Sequence, residues 1–178
     1  MSFGAPSTNP QKTVTVVQGE YSVSADPAVV MSTVLGSCIS VCLYDDVASV
    51  GGMNHFLLAG EKGSSSSDLK YGVNAMELLI NKVLRAGGNR DNLKAKLFGG
   101  ARMTTHARDI GQSNGIFAKE FLEREGIPCI SQSIGGDMAR RVQFVPTTGA
   151  ARQLQVSGQA PDEVVKPQPK PVDDITLF

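Results

Sequence analysis

The sequence predicts an α+β layered fold, with helices covering one face of a mainly antiparallel sheet system. Three features carry this expectation. There are two segments with helical apolar spacing, about eight short strand-like segments, and no long β-α alternation of the kind a Rossmann sheet requires. No internal repeat is evident.

Taken in chain order, residues 1–12 are small, polar and punctuated by proline, and read as a disordered head. A body follows over residues 13–157, the size of one domain. Ile39 to Tyr44 alternates apolar and more polar residues and reads as a strand. After an acidic turn at Asp45-Asp46, Val50 to Leu58 reads as a second strand broken by Gly51-Gly52. Asp68 is a candidate cap for a helix carrying Val73, Met76, Ile80, Val83 and Leu84, and Gly87-Gly88 supplies its stop. Lys94 to Phe98 is a further strand. Phe117, Phe121 and Leu122 mark a second helix, with Ser113 or Asn114 as cap and Gly126 as terminator. Cys129 to Ser133, Arg141 to Val145 and Arg152 to Val156 read as strands, the last two joined by a turn at Pro146–Gly149. Residues 158–178 form a tail holding four of the nine prolines, which favours extended polyproline II. Its apolar end, Ile175, Leu177 and Phe178, reads as a solvated terminus, or as a docking peptide on a stiff spacer.

Composition narrows the function classes. Lysine plus arginine total 17, as do aspartate plus glutamate, so there is no basic excess to drive nucleic-acid or anionic-membrane binding. No apolar run reaches the roughly 20 residues of a spanning helix, and the N-terminus lacks the pattern of a signal peptide. Three cysteines, an odd number, argue against a secreted disulfide framework. The expectation is a soluble, cytoplasmic protein with reduced thiols. With two histidines in the chain, the ligand count argues against zinc. No P-loop, G-x-G-x-x-G, H-E-x-x-H or G-x-S-x-G pattern occurs. No cofactor and no metal are expected.

If the chemistry needs a thiol and an imidazole, three cysteines and two histidines allow six pairings. Cys38 follows a Gly36-Ser37 turn at the mouth of the Ile39–Tyr44 strand, and Cys42 sits inside it. On one strand face they lie about 13 Å apart, too far for a shared ion or a disulfide. A hairpin turning near Asp46–Val50 pairs residues whose numbers sum to about 93, which sets Cys38 opposite His55. Imidazole beside a thiol lowers its pKa, and a thiolate attacks carbonyl carbon. A hydroxyl from Ser32 or Thr33 is placed to orient the ring. By themselves the cysteines read first as core and only second as nucleophile, because free cysteine is among the most buried residue types, and His55 reads as well structural as catalytic. Cys129 reads as a core thiol and His106 as a solvated loop residue. Gly99-Gly100 and Gly135-Gly136 read as strand-end turns, and Arg140-Arg141 as a solvated face.

Six segments in order resemble one family: VLGSCISVCLYD, GGMNHFLL, KLFGGARM, IGQSN, FLEREGIP and GGDMARRVQF. They resemble the CheD family of chemoreceptor glutamine deamidases, over roughly residues 13 to 157. The resemblance implies a three-layer α/β/β sandwich. It implies that Cys38 is a nucleophile, that His55 is its base, and that Ser32 occupies the place of a family threonine, keeping the hydroxyl without the methyl. On this reading Thr33, one residue along, points to the opposite strand face and is the weaker substitute. The implied activity is conversion of glutamine side chains of methyl-accepting chemotaxis receptors to glutamate through a cysteine thioester. A CheC-type phosphatase is the further partner implied. A binding module that regulates such a phosphatase with little turnover is the alternative, and a different thiol hydrolase is a third.

Overall fold

The computed structural model describes residues 10–58, 66–103 and 110–157. His106 and the 158–178 tail lie outside them. Nine strands and two α-helices follow in the described residues. The strands are β1 (Lys12–Thr15), β2 (Tyr21–Ser24), β3 (Val29–Leu35), β4 (Ile39–Asp45) and β5 (Val50–Asn54). After helix α1 (Ser66–Arg85) come β6 (Lys94–Gly99), helix α2 (Ile110–Arg124), β7 (Cys129–Ile134), β8 (Ala139–Phe144) and β9 (Ala151–Val156).

The strands form two mixed sheets, a four-stranded one ordered β1-β3-β8-β9 and a five-stranded one ordered β2-β5-β4-β6-β7. Only β1–β3 and β6–β7 pair in parallel. Both helices pack on the five-stranded sheet, and the four-stranded sheet covers its other face. The layers are thus helix, sheet, sheet, an α+β sandwich. Two apolar cores fill the gaps. Ile39, Val41, Leu43, Met76, Leu79, Val83, Leu97 and Phe121 belong to the helix side. Met31, Leu35, Cys38, Cys42, Met53, Val142 and Phe144 belong to the space between the sheets. Strand β4 supplies both sets by simple alternation, which is why all seven of its residues are buried. No helix among the described residues is long and apolar enough to cross a membrane.

Several boundaries differ from expectation. Gly51 and Gly52 lie within β5 rather than breaking it. A Cβ on Gly51 would stand 2.4 Å from the Pro146 carbonyl, so close backbone approach explains that glycine. Ser113 and Asn114 are inside α2 rather than capping it, since the helix begins at Ile110. Strand β3, VVMSTVL, is apolar almost throughout and carries no alternation to mark it. Cys129 is exposed rather than core, because β7 is an edge strand. Arg140 is 2% exposed and its guanidinium donates to the Ser133 carbonyl and hydroxyl and to the Gly135 carbonyl, so only Arg141 lies on a solvated face.

The β4–β5 hairpin also differs in register. Asp45 pairs with Val50, Leu43 with Gly52 and Cys42 with Met53, so partner numbers sum to 95 rather than 93. The four-residue turn explains the slip. The Asp45 carboxylate accepts from the Val47 and Ala48 amides, and Ser49 takes the left-handed conformation at φ 56°.

Candidate active site

A two-residue slip leaves every side chain on the same sheet face. Ile39 pairs with Phe56, each amide donating to the other's carbonyl at 2.9 Å. That register sets Leu57 opposite Cys38, so Cys38 and His55 are diagonal neighbours rather than direct partners, within reach of side chains. Both face the space between the sheets, where Cys38, Met53 and Leu57 share one core. Cys38 is 2% exposed and His55 4%.

The ladder is interrupted on both sides of the Ile39–Phe56 pair. The Val41 amide donates to the side-chain Oδ1 of Asn54 at 2.9 Å instead of continuing the ladder. His55 leans to the other neighbour: its amide donates to the Glu20 carbonyl, and its carbonyl accepts from the Gly19 amide. Beyond Cys38, the Gly100 amide donates to the Cys38 carbonyl at 2.8 Å. Gly99 makes that approach feasible. Its φ is +114°, and a Cβ there would stand 2.0 Å from the Cys38 oxygen.

The hydroxyl beside the imidazole belongs to Thr33. Its Oγ1 lies 2.8 Å from His55 Nδ1 and donates to the Val16 carbonyl at 2.6 Å. The same carbonyl lies 3.2 Å from Nδ1. The expectation placed Ser32 first and Thr33 second, and the strand alternation reverses them. On β3 the inward residues are Val29, Met31, Thr33 and Leu35, while Ser32 falls on the outer face of the four-stranded sheet. Thr33 is 2% exposed, and Ser32 is only half-buried. The missing signal was which face of β3 the second sheet covers, which no spacing within the segment encodes.

Counting donors assigns the ring tautomer. The Val16 carbonyl can only accept, and Thr33 spends its single proton on that carbonyl. Nδ1 therefore carries the hydrogen and donates to Thr33 Oγ1 and Val16, which leaves a lone pair at Nε2. A ring held this way can accept a proton at Nε2, with a neutral group rather than a carboxylate orienting it.

Cys42 contrasts with this. It is fully buried in the same core, and burial pushes its thiol up to about 12, against smaller lowering effects of the Ser40 hydroxyl and Lys96. It stays a thiol at any physiological pH. Among the described residues no group of three or more histidine, cysteine, aspartate and glutamate side chains could hold a metal ion.

Residues 57–154 match the family model described as CheD chemotactic sensory transduction. The chain is 57% identical over 145 residues to a Ruegeria protein named "Probable chemoreceptor glutamine deamidase CheD 1", covering 82% of this chain and 78% of that one. It is 50% identical over 175 residues to an Agrobacterium fabrum protein named "Probable chemoreceptor glutamine deamidase CheD", covering 94% and 97%. A Caulobacter protein of the same name is 51% identical over 168 residues, covering 93% and 89%.

Proposed function

The chain belongs to the CheD family, and from that premise we propose that it is a chemoreceptor glutamine deamidase with Cys38 as nucleophile and His55 as base. The observation that carries the assignment of residues is the Val16–Thr33–His55 cluster, buried beside the start of β4. A histidine held with its proton on Nδ1 is prepared to take a proton at Nε2. Thr33 fills the orienting place that the family resemblance gives to Ser32.

The reaction balances as follows. His55 Nε2 takes the Cys38 proton, and the thiolate attacks the side-chain carboxamide carbon of a receptor glutamine. Collapse of the tetrahedral adduct breaks the C–N bond, and the imidazolium protonates the departing ammonia. Water, deprotonated by His55, attacks the thioester carbon, releasing glutamate and restoring the thiol. Glutamine and water become glutamate and ammonium. Thr33 and the Val16 carbonyl take no proton; they steady the ring and share the charge that forms on it. A slim carboxamide on a flexible stem suits a thiol buried this deeply. The substrates in this reading are cytoplasmic helices of chemotaxis receptors, met in the cytoplasm, and a CheC-type phosphatase is a second partner.

The test is intact-mass analysis of a purified receptor cytoplasmic fragment after incubation with the protein. Each converted glutamine adds about 1 Da. No gain over a control without enzyme contradicts the reading, and binding of a CheC-type phosphatase in its place supports a regulatory module. A cleaved fragment supports a protease.

A further inference from the structure

The IGQSN segment has no role in the chemistry above, yet it holds a fully buried polar side chain near it. Asn114 is 0% exposed, inside α2. Asparagine is a poor helix former there, because its side chain competes for backbone groups. Its Nδ2 donates to the Ser37 carbonyl at 2.9 Å, and its Oδ1 accepts from the Leu58 amide at 3.0 Å. Facing one acceptor and one donor fixes the orientation of the amide.

These two partners are not arbitrary. Ser37 and Leu58 sum to 95, the register of the β4–β5 pair. They lie two positions beyond Ile39–Phe56, which exchanges both backbone bonds. In an antiparallel ladder the next such exchange falls there. Instead, the carboxamide of Asn114 sits between the Ser37 carbonyl and the Leu58 amide. One side is the residue before Cys38, and the other lies three residues after His55. The helix is brought close enough by Gly111, where a Cβ would stand 2.5 Å from the carbonyls of Gly100 and Ala101.

We propose that Asn114 is a positioning residue: its side-chain amide replaces one rung of the ladder and sets the separation of the Cys38 turn from the His55 segment. The inference rests on the deamidase reading for its kinetic consequence, but the geometry of the thiol–imidazole pair can be read without substrate. Removing the rung lets residues 37 and 58 close or drift, and a displacement of about 1 Å between reacting groups costs about 10²-fold in rate.

The test uses the full chain carrying Cys129→Ser, so that the exposed thiol does not react. Asn114→Ala removes both bonds. Asn114→Asp keeps the shape and the Leu58 bond but sets an oxygen against the Ser37 carbonyl, and it decides the matter where the alanine variant fails to fold. Two readouts are taken well below the melting temperature. In the first, kcat on a receptor fragment falls by about 10²-fold while KM stays within about twofold. In the second, the pH profile of Cys38 alkylation by iodoacetamide moves to higher pH, because the imidazole no longer supports the thiolate. A folded variant with unchanged kcat and an unchanged alkylation profile overturns the proposal. Wild type without turnover defeats the deamidase reading instead, and the alkylation profile then judges Asn114 alone.

Discussion

The two cores of this molecule differ in what they bury. Between the helices and the five-stranded sheet the packing is apolar, Leu79, Val83 and Leu97 among its members, and the buried Asn54 and Asn114 amides are spent on Met76 and on the backbone of Ser37 and Leu58. Between the sheets, Met31, Leu35 and Phe144 share the space with Cys38 and Cys42, and Thr33, His55 and Lys96 are buried there too. Thr33, His55 and Lys96 each have a partner at hand: Thr33 and His55 meet at the Val16 carbonyl, and Lys96 donates to the Gly149 carbonyl at 2.6 Å. Stability comes most cheaply from the first kind of core, because an unpaired buried polar group costs several kcal/mol. The second kind is retained where a dry, oriented proton acceptor is needed. The comparison predicts that truncating an apolar helix-side residue changes stability, and that altering Thr33 or His55 between the sheets changes chemistry.

The largest effect on turnover, after loss of the nucleophile itself, belongs to His55→Ala. It removes the proposed general base and lowers kcat by about 10²–10⁴-fold, read on a receptor fragment by mass spectrometry. Next comes the pair Thr33→Val and Ser32→Ala. The first frees the imidazole from its orienting hydroxyl and lowers kcat on the order of 10-fold; the second, on the outer face, leaves kcat unchanged. Equal effects of the two would remove Thr33 from its assigned place. On the helix side, Leu79→Ala costs about 2–5 kcal/mol in denaturant unfolding and leaves kcat near wild type below the melting temperature.

The smallest effect is on pH. Cys42 has its thiol raised from the ordinary 9.0 to about 12 in the folded protein. Between those values the unfolded chain has lost the proton that the native state keeps, so stability falls as pH rises through this window. Below 9.0 the contribution is constant. Cys42→Ala flattens the alkaline slope in denaturant titrations and retains activity. A slope unchanged by the substitution contradicts the burial of that thiol.

The hairpin shows how far the sequence could be read. Alternation in Ile39–Tyr44 and the acidic turn placed Cys38 and His55 on one face of adjoining strands, and the structure keeps them there. The register was two residues out because turn length depends on Asp45 capping and on Ser49 at positive φ, a conformation uncommon outside glycine. Thr33 ranks only second to Ser32 in the sequence because the inward face of β3 depends on a sheet assembled from β1, β8 and β9, distant in sequence. Asn114 was read as a cap because asparagine favours caps; its use as a rung depends on α2 docking against Gly100. What was legible rests on local periodicity, and what was not rests on contacts between segments far apart in the chain.

The central claim is that chemistry belongs to Cys38 and not to Cys42, four residues along the same strand face. The most direct test is intact-mass analysis of one receptor fragment incubated in parallel with wild type, Cys38→Ala and Cys42→Ala. The account predicts gains of about 1 Da per converted glutamine with wild type and Cys42→Ala, and none with Cys38→Ala. Conversion by Cys38→Ala at the wild-type rate would contradict it.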